Sequence, residues 1–198
     1  MHRHIRSIIA AGVTTTLLAA ATAALAGPSG AIFTTNEQGS WVNGNVYPSK
    51  EAVYLNGGPR VNQNCTAAGL PDGHYYFQVT DPSGKALLSA DALGQRRILV
   101  SMGVITEYLG TTHAINSPPP ERCGGVTVSL VGVADPPSLL DTPNPGGEYK
   151  VWLTPVPEDD HTCDALVACA GRFQPSNSKT DNFKVQPPDE PDGDGDGD

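Results

Sequence analysis

The sequence predicts an all-β sandwich of about nine or ten short strands. Three observations carry that expectation. Glycine (22) and proline (18) are abundant and are spread between short apolar runs rather than gathered into one linker, the punctuation of a strand-and-turn protein. Several runs alternate apolar and polar residues, the period of a half-buried strand. One ten-residue block also occurs twice with the same layout. Pro71-Asp72-Gly73-His74-Tyr75-Tyr76-Phe77-Gln78-Val79-Thr80 aligns without gaps with Pro145-Gly146-Gly147-Glu148-Tyr149-Lys150-Val151-Trp152-Leu153-Thr154. Pro and Gly make a turn that feeds a strand. Tyr75, Phe77 and Val79 then share one face, as do Tyr149, Val151 and Leu153.

The elements follow in order. Residues 31–35 read as a first strand. Residues 41–47 place Asn43-Gly44 between β-formers, a hairpin signal. Residues 52–55 form a short strand that Asn56-Gly57-Gly58-Pro59 closes. The first block ends in Asp81-Pro82-Ser83-Gly84, which suits a type I turn. Residues 86–89, 97–101 and 104–109 are further strands, and residues 126–131 alternate clearly. The second block and residues 182–185 complete the set, and only residues 164–170 could form a helical turn. The run Pro118-Pro119-Pro120 is the best internal boundary. About three strands follow it, too few for an independent sandwich. One domain over residues 27–186 is therefore expected, with a split near 118–120 as the alternative.

The ends differ from this middle. Residues 1–26 read as a secretory leader: His2, Arg3, His4 and Arg6, an apolar run, then Ala24-Leu25-Ala26 as the small-residue cleavage site. Its loss removes two of the 12 basic residues against 21 acidic ones, so the balance moves from −9 to −11. Such a charge excludes nucleic acid and anionic membrane surfaces as partners, and nothing after the leader would insert in a membrane. Residues 187–198 carry no apolar residue to bury and read as a disordered acidic tail. All four cysteines, Cys65, Cys123, Cys163 and Cys169, lie in the exported part. An even count there implies two disulfides. The short loop favours Cys163–Cys169, with Cys65–Cys123 by elimination.

Candidate chemistry is sparse. Asp192, Asp194 and Asp196 with Gly197 match the opening of a calcium loop. That loop needs a bidentate acid at its twelfth position and the sequence stops at the seventh, so a solvated tail with weak calcium affinity is expected, and no other cofactor. The set contains no His-Glu-x-x-His, Gly-x-Ser-x-Gly or phosphate loop, so no enzyme is expected. Trp152 falls on the strand face opposite Tyr149, Val151 and Leu153, where it is either an outward platform for a sugar or partner or part of a second packed face. Trp41 is either a loop-tip contact or an anchor for the Asn43-Gly44 turn.

Residues 70–84, Leu70-Pro71-Asp72-Gly73-His74-Tyr75 through Asp81-Pro82-Ser83-Gly84, resemble the central motif of B-type modules in bacterial surface adhesins. Those are the collagen-adhesin and serine-aspartate-repeat kinds. The resemblance implies a prealbumin-like or immunoglobulin-like sandwich with a stalk, spacer or adhesion role, sometimes with calcium. The sequence therefore leads to a secreted, non-catalytic sandwich, a structural or partner-binding surface module meeting a protein or glycan outside the cell. The alternatives are a carbohydrate-binding module using Trp152 or Trp41, and a secreted hydrolase using His113, His161 and loop acids.

Overall fold

The twice-used block dictates the centre of the molecule. In the computed structural model, which describes residues 29–60, 63–117, 123–133, 138–156 and 173–186, the two copies become β4 (Gly73–Thr80) and β9 (Glu148–Val156). They are antiparallel neighbours: Phe77 pairs with Leu153, Gln78 with Trp152 and Val79 with Val151. Around them lie β1 (Ala31–Thr35), β2 (Val46–Tyr47), β3 (Tyr54–Gly58), β5 (Arg97–Ser101), β6 (Val104–Tyr108), β7 (His113–Asn116), β8 (Thr127–Gly132) and β10 (Lys179–Val185). These ten strands, counted among the described residues, form a four-stranded sheet in the order β1-β3-β8-β7 and a six-stranded sheet in the order β2-β10-β9-β4-β5-β6. The chain is an all-β sandwich. Both sheets take strands from either side of residues 118–120. The segment read as a leader, that proline run, the acidic residues 187–198 and the 164–170 segment lie outside the described residues.

Alternation decides the core. Tyr75, Phe77 and Val79 meet Tyr149, Val151 and Leu153 in one cluster with Leu55, Ile98, Val128, Leu130 and Phe183. Each fully buried side chain of this kind contributes roughly 1.5–3 kcal/mol. The opposite face of β4 and β9 carries a second cluster, in which Tyr76, Trp152 and Val156 pack with Leu93 and Phe173. The expected turn at residues 81–84 forms: the Gly84 N–H donates to the Asp81 carbonyl at 3.0 Å.

Three local expectations are corrected, and one strand, β7, was not expected. Asn43-Gly44 closes no hairpin. Val42 bridges to Thr35 in the first sheet, whereas Val46 and Tyr47 run parallel to β10 in the second. Left-handed backbone at Asn43 (φ 52°) and Asn45 (φ 60°) makes that crossing. Asn56-Gly57-Gly58 does not end a strand but lies inside β3, paired with β1. A Cβ on Gly57 would sit 2.8 Å from a Leu70 methyl, so the opposing layer reserves that space for glycine. Residues 86–89 make only isolated bridges, Thr80 to Leu87 and Ser89 to Leu139. The strand β7 has no alternating pattern, because it is an edge with Ala114 and Ile115 exposed.

Candidate functional site

The loop that changes sheets is built from Asn36 outward. The Asn36 Oδ1 accepts the backbone N–H groups of Ser40 at 2.9 Å and Trp41 at 3.1 Å, an Asx arrangement that fixes the loop locally. Trp41 then lies flat against the Gly44 backbone, where an added Cβ would come within 2.5 Å of its ring. Its centroid is 5.4 Å from that of Tyr47. The indole stays 47% exposed. It is thus both the anchor of the Asn43-Gly44 turn and a surface aromatic.

Tyr47 carries the contact inward. Its ring meets Phe183 edge-on at 6.3 Å, and Phe183 stacks on Tyr149 at 5.1 Å with 7° between planes. Beside this row runs β10, whose Asp181 carboxylate accepts the Thr34 N–H at 2.7 Å and the Thr34 hydroxyl at 3.0 Å across the sheets. Burial pushes the Asp181 carboxyl above its ordinary value despite those bonds. Burial likewise pushes the Tyr47 phenol up.

Two clefts flank Tyr149. The smaller, about 300 Å³, is lined by Asn45, Pro82, Glu148, Asn182 and Lys184, with Tyr149 and Phe183 beneath. The larger, about 430 Å³, lies among Pro48, Lys50, Glu51, Asp141, Asn144 and Gln186. Lys50 closes one wall of it: its Nζ donates to the Leu139 carbonyl and to Asp141 Oδ1, both at 2.9 Å. Asp141 is 90% exposed, so this pair positions the wall more than it stabilises the fold. The Glu51 carboxyl is held below its ordinary value by its own backbone N–H and the Ser49 hydroxyl. The walls offer amides, carboxylates and ammonium groups to a ligand.

The remaining candidates fall elsewhere. Trp152 is 7% exposed. Its Nε1 donates to Thr80 Oγ1 at 2.9 Å, its ring packs under Gly84, and the Lys150 ammonium lies 5.5 Å from its centroid. Of the two fates open to Trp152, outward platform or packed second face, the structure gives the packed face, because the 81–84 turn and the Leu93 and Phe173 side chains cover it. Cys65 and Cys123 form a disulfide, with their Cα atoms 5.2 Å apart. Cys163, Cys169, His161, Asp192, Asp194 and Asp196 lie outside the described residues. His113 is buried, its ring nitrogens against the Ser129 carbonyl at 2.8 Å and Asp91 Oδ2 at 2.9 Å. A general base needs a nitrogen within reach of substrate, and here both are engaged. Among the described residues no three His, Cys, Asp or Glu side chains gather as a metal group, and no helix is long and apolar enough to cross a membrane.

Sequence reasoning missed Asn45, Lys50, Asp141, Glu148, Asn182 and Lys184 as wall residues. The parallel pairing of β2 with β10 assembles them from distant positions, and no local pattern announces that pairing. The chain matches no protein-family model, no curated protein and no solved structure.

Proposed function

We propose that the protein is an exported, non-catalytic β-sandwich that recognises a partner outside the cell through Trp41 and the cleft lined by Asn45, Asn182 and Lys184. The observation that carries this reading is Trp41 itself: half exposed, yet fixed by Gly44, Tyr47 and the Asn36 cap. A rigid, partly open indole gives contact area at low conformational cost, which is the character of a binding hot spot. The Cys65–Cys123 disulfide fits an oxidising exterior. Trp41→Ala is expected to abolish binding of the purified protein to intact cell-surface material while its circular dichroism stays unchanged. Binding that survives the substitution would refute the reading.

A second reading, carbohydrate recognition, is favoured by Asn45, Asn182, Glu148 and Lys184 around one concavity. Those groups can donate to and accept from vicinal hydroxyls. Glycan-array signal lost in both Trp41→Ala and Asn182→Ala would select it over a protein partner.

A further inference from the structure

The four sheet edges are not alike. On β1 the Thr34 N–H donates to the Asp181 carboxylate at 2.7 Å, and the Thr34 carbonyl accepts the Asn43 N–H at 2.9 Å. On β6 the Ile105 carbonyl accepts the Val126 N–H at 2.7 Å. The edge strand β2 is only two residues long. Natural sheets protect edges by such cover and such shortness.

The fourth edge, β7, differs. The Leu130 N–H donates to the Val53 carbonyl at 3.0 Å. The even-numbered residues of β8 therefore turn their backbone groups toward β3, and the odd-numbered ones toward β7. Asn116 pairs with Thr127 and Ile115 with Val128, so Ile115 turns its N–H and its carbonyl away from β8. Among the described residues neither group meets a partner, and the side chain is 56% exposed. Val133, whose N–H donates to the Thr112 carbonyl at 2.6 Å, is 81% exposed beside the same strand. A bare edge with apolar side chains is a template for another strand.

Charge selects what that strand can be. The chain carries 21 acidic against 12 basic residues, so two copies repel across most of their surfaces. Residues 109–117 and 123–133, which make β7, β8 and their flanks, contain no Asp, Glu, Lys or Arg. Two acidic copies can meet there without like charges opposed. Glu37, whose carbonyl accepts from Asn116 Nδ2 at 3.3 Å, stands at one end of β7. In an antiparallel pair it faces the far end of the other strand and not its own copy.

We propose that β7 pairs antiparallel with β7 of a second copy of this chain, across a two-fold axis at Ile115, and joins two four-stranded sheets into one. Each Ile115 N–H then donates to the Ile115 carbonyl of the other copy, and the two side chains lie together as a cross-strand pair. Such a contact is isologous and closes on itself, so it consumes the bare edge in both copies. With four residues per strand it is small, which makes it a weak, concentration-dependent dimer rather than an obligate one. The pairing does not depend on the recognition proposed for Trp41.

Sedimentation velocity of the intact protein from micromolar to millimolar concentration tests this, with hydrogen exchange of the Ile115 amide followed over the same range. A monomer–dimer equilibrium is expected, with that amide exchanging about tenfold more slowly at the concentrated end. Ile115→Lys sets two ammonium groups opposite each other and should weaken the dimer by at least about tenfold, with the melting temperature of the monomer unchanged. Met102→Lys alters another exposed apolar side chain and should leave the dimer intact. If Ile115→Lys does not fold, exchange of the unaltered chain against concentration still decides. A chain that stays monomeric throughout, or a dimer that survives Ile115→Lys, would overturn the pairing. So would an Ile115 amide equally protected at every concentration, which would mean that another part of the chain covers the edge. Slowing that appears only when cell-surface material is added would give the edge to a different partner and overturn it as well.

Discussion

The two copies of the Pro-x-Gly-x-Tyr block enter the same sheet from opposite ends, and only one end is sealed. At the first copy the β5–β6 hairpin closes over the turn. Asp72 Oδ1 accepts the Gly103 N–H at 2.9 Å, the Leu70 N–H donates to the Gly103 carbonyl at 2.9 Å, and Gly69 lies against Gly103 with no room for a side chain. Tyr75 donates its hydroxyl to the Pro71 carbonyl at 2.7 Å. At the second copy the turn is also tight, since Gly147 (φ 69°) donates to the Asn144 carbonyl at 3.0 Å. Tyr149, although buried, lies at the base of both clefts, and its hydroxyl accepts the Thr142 N–H at 3.2 Å. A shared strand pattern therefore sets two equivalent core strands, while the neighbours of each turn decide which end is closed and which can receive a ligand.

The largest effect should come from unpinning the sealed end. The Cys65–Cys123 bridge spans 58 residues of sequence and anchors the segment leading into the first copy. Replacing both by Ser should cost about 4 kcal/mol, the entropy of a loop of that length, read as a lower urea midpoint. Gly69→Ala should cost about 2 kcal/mol by overpacking against Gly103. The hydroxyls then contrast the two ends. Tyr75→Phe removes the hydrogen bond to the Pro71 carbonyl and should cost about 1 kcal/mol. Tyr149→Phe leaves its partner beside a cleft where water can replace the bond, so it should cost less. Equal losses would break the contrast between a sealed and an open end.

Each copy also carries a carboxylate with its own acid response. Asp81 follows the first copy and accepts from Ser83, Lys85 and Ala86, bonds that hold its carboxyl down to about 2. Its contribution is present above the unfolded value near 3.9 and fades as pH falls toward about 2. Asp181 faces Val151 of the second copy and is raised by burial. Its contribution is greatest below the unfolded value and is lost as pH rises through the folded one. Asp181→Asn should therefore flatten the decline in stability on the neutral side, and Asp81→Asn should flatten the decline on the acid side. Thermal melts across pH 2–7 check both signs. The smallest effect concerns the tail: removing residues 192–198 should leave the melting temperature in calcium unchanged.

Much of this fold is legible in the sequence, because inward residues such as Tyr75, Phe77, Val151 and Leu153 obey a period of two. The sealed and open ends are not legible. Gly57, Gly69 and Gly103 look like turn residues but serve close approach between layers, which depends on residues far away in the chain. Trp41 and Trp152 sit in similarly β-rich stretches, yet one is half exposed and the other buried under the 81–84 turn. Both have local alternation that permits either fate, and only the tertiary cover decides.

The most direct test asks which end meets a partner. A photo-crosslinking residue placed at position 43, beside Trp41 at the open end, is compared with one at position 102, where Met102 is 85% exposed on the sealed end. After exposure to cell-surface material, position 43 should yield a covalent adduct that disappears in the Trp41→Ala background, and position 102 should yield none. An adduct from position 102 alone, or from both with equal yield, would contradict the assignment of recognition to the open end.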